Sequence, residues 1–349
     1  MFIRNAWYVI AWEHEIPLDG LFARTVLCEP IVLFRDPAGV IAALEDRCCH
    51  RHAPLSRGRH ESGSVRCGYH GLRFDASGRC TEIPGQEAIP EQARVRSYPV
   101  VLHNKWVFLW MGDPARADRS LLPNNFSNDH PDWCYQPGYL HYDTNYLLIC
   151  DNLLDFSHLS FVHEKTLGGS AAIAQVRPVI TALEGPGPRG LRVARDVPGV
   201  PPPPYYLAMQ TFQGLVDRWF VYDFVIPGTL LMHSGGRPAG QAKDDMRGAL
   251  QLHSCQTLTP ETEHTTHYFF QQAHPAAVGD ASTTASLRAS LITAFEEDRA
   301  MITAQRDVIA RDSARRMLPI NADAALNQWR RLVRSAVEEE VAKAAPSAS

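Results

Sequence analysis

Two short loops constrain this 349-residue chain more than anything else in it. Cys48-Cys49-His50 offers one thiol and one imidazole, and Cys67-Gly68-Tyr69-His70 offers the same pair after sixteen intervening residues. Pro54 follows the first loop and Gly71 the second, both residues that make tight backbone turns. Two thiolates and two imidazoles can hold one tetrahedral zinc. They can also hold a [2Fe–2S] cluster, with both thiolates on one iron and both imidazoles on the other. The order C-x-H then C-x-x-H is not that of zinc-finger loops, which pair like ligands, so the cluster is favoured and zinc is the alternative. Neutral imidazole in place of thiolate makes such a cluster less negative and easier to reduce, which suits one-electron transfer.

The remaining sequence must fold around that centre. Its length exceeds what one compact core usually holds, so two domains are expected. Hydrophobic residues are 45% and charged residues 21%, a globular rather than a disordered balance. The apolar stretches Ala6–Trp12 and Tyr146–Cys150 are far too short for a membrane span. The N-terminal run lacks a small-residue cleavage site and is followed at once by acidic residues, so it is not read as a signal peptide. A net charge of -4 without a basic stripe argues against nucleic acid. Besides Cys48, Cys49 and Cys67, the cysteines at 28, 80, 134, 150 and 255 stand alone and read as buried small side chains. Sparse thiols with no export signal indicate a reducing, cytoplasmic home.

The first 110 residues read as short strands: Trp7–Ile10, Arg24–Leu27 and Ile31–Arg35 broken at Glu29-Pro30, Val40–Leu44, Arg73–Asp75 and Lys105–Met111. A polar stretch, Asp113–Pro131, marks the domain boundary. Beyond it, Tyr146–Val162 has a helical pattern. Pro178–Asp223 is Gly/Pro-rich, with loops at Gly185–Gly190 and Gly199–Pro204. Trp219–Ile226, Ala249–Leu258 and Thr265–Gln272 read as strands. Ser282–Arg311 is one long helix, Ala322–Ala345 a last helix, and Pro346–Ser349 a frayed end.

A second constellation lies in Asn152–His163. Asp155 and His158 are three apart and share a helix face. His163 is five beyond His158, so both can reach one metal only if the helix bends or ends near Phe161-Val162. Two histidines and one carboxylate, with positions left open, form the facial triad of mononuclear Fe(II) oxygenases. His253, Gln256 and His267 fall in strands and read as core or surface residues, with a place in a substrate pocket as the alternative. Trp219, Phe220, Phe224, Met232 and Phe295 read as core, with pocket walls as the alternative. Arg47 and Arg51 flank the first loop and read as solvated charges, with steering of an acidic reductase as the alternative.

Arg47–Ser56 and Cys67–Leu72 resemble the cluster loops of Rieske non-haem iron oxygenases. More narrowly they resemble the vanillate O-demethylase oxygenase subgroup, as does Asn5-Ala6-Trp7-Tyr8-Val9. The family has proline where Cys49 stands and an aromatic residue where His52 stands, leaving a spare thiol and a spare imidazole beside the cluster. The resemblance implies an α+β chain: an all-β Rieske [2Fe–2S] domain at 1–115, with Cys48, His50, Cys67 and His70 as ligands, and a catalytic domain at 116–349. The latter is of helix-grip type, an antiparallel sheet around a long helix. His158 and His163 would bind a mononuclear Fe(II), with Asp298 of the late acidic helix as third ligand and Glu297 as its rival. Asp155 would hydrogen-bond His158 and His70 of the partner subunit within a head-to-tail homotrimer, and Asn152 would orient a ligand or bound O2.

The implied activity is mono-oxygenation of a small aromatic substrate, by O-demethylation or hydroxylation, with O2 as co-substrate. The alternatives are ring dihydroxylation, or a Rieske electron carrier without catalysis. The sequence has no second four-cysteine iron–sulfur spacing and no Gly-x-Gly-x-x-Gly. Electrons from NAD(P)H would therefore arrive through a separate flavin/iron–sulfur reductase.

Overall fold

A computed structural model describes residues 2–164 and 166–344. The chain divides into two compact units. One runs to Arg119 and includes Thr259–Glu263; the other comprises Ser120–Leu258 and the chain from His264 onward.

The first unit carries β1 (Trp7–Trp12), β2 (Phe22–Val26), β3 (Glu29–Arg35), β4 (Ile41–Glu45), β5 (Arg59–Glu61), β6 (Ser64–Arg66), β7 (Arg73–Phe74), β8 (Cys80–Glu82), β9 (Ser97–Tyr98), β10 (Val100–His103) and β11 (Trp106–Trp110). They form three antiparallel sheets, ordered β1-β11-β10, β2-β3-β4-β9 and β5-β6-β7-β8. The β2–β3 hairpin does not break at Glu29-Pro30. It turns at Leu27 and Cys28, with φ of 50° and 66°, and Pro30 sits inside β3 opposite Thr25. Two successive left-handed residues give the twist a tight hairpin needs.

The second unit begins with β12 (Trp133–Cys134), β13 (Gly138–Tyr142) and helix α1 (Tyr146–Leu154), then α2 (Ala171–Gln175), β14 (Val179–Ala182), β15 (Gly190–Val200) and α3 (Pro204–Leu207). Then follow β16 (Val216–Val225), β17 (Thr229–Pro238), β18 (Leu250–Pro260), β19 (Thr266–Pro275), α4 (Ala281–Arg311) and α5 (Ala324–Ala344). The strands make one sheet, β12-β19-β18-β17-β16-β15-β14, with β13 also paired to β19. Helix α4 packs on β19, β13 and α1. Its buried residues Thr284, Leu287, Leu291, Phe295, Asp298 and Ile302 recur every three or four positions, a single stripe. Asp280 caps its start by accepting from Thr283 N at 2.9 Å. The fold is thus an all-β unit followed by an antiparallel sheet with a long helix against it.

Three expectations need correction. The helical pattern of Tyr146–Val162 is not one helix: α1 stops at Leu154, Asp155 is extended (φ -119°, ψ 90°), and a short 3-10 turn covers Phe156–Ser160. Asp155 causes the break, because its carboxylate accepts from Ser157 N (2.9 Å) and Ser157 Oγ (2.8 Å) and so caps a new turn. In the second unit strands β12, β13, β14, β15 and β17 were not anticipated. β15 fills the interval between two loops that the composition does mark, and its Arg, Asp, Pro and Gly residues hide the alternation. In β17 the glycines are required by space: a Cβ at Gly235 would lie 2.1 Å from Leu250 O. The last helix starts at Ala324 after a 3-10 turn over Asn321–Asp323, and 345–349 lie outside the described residues.

Candidate iron–sulfur and iron centres

The two cysteine loops are built alike. Cys48 N donates to Ala53 O (2.9 Å) and His52 N to Cys48 O (2.9 Å). In the second loop Cys67 N donates to Leu72 O (2.8 Å) and Gly71 N to Cys67 O (3.1 Å). Each loop thus folds back on its cysteine through one left-handed residue, His52 (φ 56°) and Gly71 (φ 76°). Both thiols join the apolar core with Leu55 and Phe74, and Cys48 and Cys67 touch each other. Burial, with Cys67 beside it, pushes the Cys48 thiol up to about 12, although a backbone hydrogen bond at His50 opposes this. Proton-free thiolates here need a cation, which a bound iron would supply.

The imidazoles face the other way. His50 and His70 are exposed, with ring centroids 4.5 Å apart. Partial loss of solvent around its ring, with His50 and Arg51 nearby, holds His70 below the ordinary histidine value. Buried thiols behind two neighbouring exposed imidazoles suit a [2Fe–2S] cluster whose histidine-bound iron lies toward solvent. Arg66, not anticipated, braces the second loop. It bonds Gly71 O (2.8 Å), Glu61 (2.6 Å) and both oxygens of Glu82 (3.0 and 2.7 Å). Asp46 braces the first loop by accepting from Ser56 N at 2.6 Å. Cys49 is half-buried and not among the inward pair, and Arg47 and Arg51 are exposed.

The second constellation is buried. One atom each of His158, His163 and Asp298 lie within 4.8 Å of one another. Asp298 Oδ1 is 3.5 Å from His158 Nε2 and 3.1 Å from His163 Nε2. The break after α1 lets both histidines face one point, so the constraint set by their five-residue spacing is met by ending the helix earlier than expected. His158 Nδ1 meets the backbone carbonyl of Asp155, and His163 Nδ1 meets Glu297 Oε2 at 2.8 Å. Both partners only accept, so with a metal bound both Nδ1 atoms would carry the proton and both Nε2 lone pairs would face the common centre. Burial holds His158 below the ordinary value. Burial also pulls on His163, but Asp298 and Glu297 outweigh it and hold it above. Asn152 Nδ2 donates to Asp298 Oδ1 at 3.0 Å. Asp298 lies on the buried stripe of α4, whereas Glu297 is off it, one-third exposed and also held by Thr166 at 2.7 Å. A buried carboxylate with no lysine or arginine bound to it among the described residues, and two imidazoles offering lone pairs, is a fitting donor set for a divalent iron.

These atoms line one wall of a cavity of about 60 Å³. Phe220, Met232, Gln256 and Phe295, weighed as pocket residues from sequence, line it too; Arg218, Tyr205 and Gln272 were not anticipated. His267 pairs instead with Tyr139 at 2.9 Å, and Phe224 stacks edge-on against Trp329. His253 and Trp219 lie in an aromatic group with His233. The carboxylate of Asp155 bonds Ser157, so its contact with His158 runs through its backbone carbonyl and not its side chain.

A Rieske-type loop pair, followed in one chain by a buried His-His-Asp centre against a sheet and long helix, defines a Rieske non-haem iron oxygenase. The chain belongs to that family: residues 6–99 match the Rieske [2Fe-2S] domain and residues 142–339 the vanillate O-demethylase oxygenase C-terminal domain. It is 46% identical to the iron-sulfur subunit of a toluene-4-sulfonate monooxygenase system from Comamonas testosteroni, over 99% of this chain and all of that one. It is 33% identical to a vanillate O-demethylase oxygenase subunit from a Pseudomonas species, over 99% and 98% of the two chains. Among solved structures, dicamba monooxygenase bound to dicamba superposes with a TM-score of 0.87 at 31% identity, covering 98% of this chain and 99% of that one. Among the described residues no helix is long and apolar enough to cross a membrane.

Proposed function

We propose that the chain is the terminal component of a multi-component, cytoplasmic monooxygenase that hydroxylates a methyl or methoxy carbon on a small aromatic ring. Cys48 and Cys67 hold one iron of the [2Fe–2S] cluster, His50 and His70 the other. His158, His163 and Asp298 hold the mononuclear Fe(II). The observation that carries this reading is the convergence of two imidazole nitrogens and one buried carboxylate on one wall of a cavity.

When bound, the ferrous ion supplies the activation of O2. In the overall balance one oxygen atom enters a C–H bond as hydroxyl and the other leaves as water, using two electrons and two protons. A methoxy carbon treated so becomes a hemiacetal that releases formaldehyde. The protein positions and shields. Glu297 and the Asp155 carbonyl fix the histidine tautomers, Asn152 orients Asp298, and Phe220, Met232 and Phe295 exclude water from the ring.

Electrons come from NAD(P)H through a separate reductase. In a head-to-tail trimer the exposed imidazole edge of one subunit's cluster would feed the neighbour's iron, with Asp155 as the link. Support for that link is the position of Asp155, half-exposed and backbone-bonded to the ligand His158.

The test is the variant His158→Ala, supplied with a reductase and assayed on methoxy- and methyl-substituted benzenes. It should keep the brown [2Fe–2S] absorption yet lose product formation and coupled O2 uptake. Undiminished product formation would defeat the assignment.

A further inference from the structure

The cavity above His158, His163 and Asp298 contains a cation that the proposed chemistry leaves without a role. Arg218 stands on β16, in the sequence VDRWFVYDFV, and points to the buried side together with Phe220 and Tyr222. It is 1% exposed and lines the cavity that the three metal-binding candidates line. Guanidinium keeps its proton in any protein environment, so this is a buried positive charge. Buried charges are paired, because an isolated one is costly to desolvate.

No carboxylate pairs with it among the described residues. Its Nη1 donates to Gly168 O at 2.8 Å and its Nη2 to Tyr205 Oη at 3.3 Å, both neutral. Its Nε is buried and unbonded, as is the Tyr206 hydroxyl beside it. The faces of Tyr206 and Phe220 flank the guanidinium, with centroids 5.3 and 5.0 Å from its Cζ. The cavity's one carboxylate, Asp298, is already taken up by His158, His163 and Asn152. Other arginines are paired with acids, as Arg192 with Asp223 and Arg330 with Asp151, while Arg195, also buried without an ion pair among the described residues, does not line this cavity.

We propose that Arg218 is the anion-recognition residue of the substrate pocket, and that the substrate is an aromatic ring bearing a carboxylate or sulfonate. This rests on the oxygenase reading only for what happens at the other end of the ring. The anion supplies the missing counter-charge and accepts from Nε. The apolar walls at Phe220 and Phe295 hold the ring, and the alkyl or alkoxy substituent faces the histidines. A planar fork of donors recognises either anion.

The test measures binding, without turnover, by calorimetry on anaerobic holoenzyme. The probes are toluene-4-sulfonate, 4-methylbenzoate and the uncharged 4-methylanisole. The wild type should bind at least one anion, and the pair of anionic probes tells sulfonate from carboxylate. Arg218→Gln should weaken that anion roughly 100-fold and leave 4-methylanisole within a factor of about three, while Arg218→Lys should retain most of the anion affinity. Equal anion affinity in wild type and Arg218→Gln would overturn the proposal. So would loss of all three probes together in both variants, which marks Arg218 as a residue that only holds the Gly168 loop. If the anion binds through Arg218 but is never oxygenated with reductase present, the oxygenase reading fails and the recognition site stands.

Discussion

In the cluster loops the thiols are 1% and 2% exposed while the two imidazoles stand in solvent; in the cavity His163 and Asp298 are 1% and 4% exposed and nothing of the triad is offered outward but part of His158. The first arrangement suits a centre that passes electrons through its histidine edge. The second suits a centre that must keep water from a reactive bond. The two also differ in how they are held. The loops are fixed by local backbone hydrogen bonds and close backbone packing. The triad is fixed by side chains meeting from α1, the turn after it and α4.

That contrast can be broken deliberately. The largest effect is expected from Gly68→Ala. A Cβ there would lie 2.7 Å from Arg57 O, backbone that has no side chain to move aside. The variant should lose the [2Fe–2S] absorption and all reductase-driven turnover, yet keep the second unit's iron when that is measured separately. Full cluster content would show that the loops are not held by backbone contact.

On the other centre the matching change is gentler. Glu297→Gln keeps a side-chain acceptor for His163 Nδ1 but removes the charge. Iron retention against a chelator should fall by about 10-fold, with the cluster spectrum unchanged, since partners of ligating histidines typically carry that much. No change in iron affinity would mean that the His163–Glu297 contact does not tune the site.

A smaller effect concerns stability, on the sheet's aromatic group. His253 is pushed down to about 4 by burial and by His233, which stacks on it at 4.9 Å. The folded state therefore resists a proton that the unfolded chain accepts below about 6.5. Stability at pH 7 is complete and declines as pH falls from roughly 6.5 to 4, by about 3 kcal/mol. His253→Phe should flatten that part of a denaturation-versus-pH curve. An unchanged slope would assign it to other groups.

The sequence disclosed the two regions unequally, for the same physical reason. All four proposed cluster ligands lie between residues 48 and 70, so spacing alone brings them into view. Their braces, Arg66 and Asp46, depend on which strands pair and left no trace. At the iron site the histidine pair was visible, and so was the need for a bend, but not its place. Asp155 caps a turn, and a helical pattern of apolar residues runs straight across it. Asp298 was separable from Glu297 only through resemblance, although the stripe at 291, 295, 298 and 302 marked Asp298 as the inward one. Arg218 was missed altogether. Its signal was an arginine at an inward position of an alternating strand, between Val216 and Phe220.

The central claim is that one chain holds two separate metal centres, an electron-transfer cluster and a mononuclear iron in its own cavity. It is tested most directly by iron content and absorption of anaerobically purified wild type and His163→Ala. The account predicts about three irons per chain in the wild type and about two in the variant, with the [2Fe–2S] spectrum unaltered. Two irons in the wild type, or a cluster spectrum that disappears with His163, would contradict it.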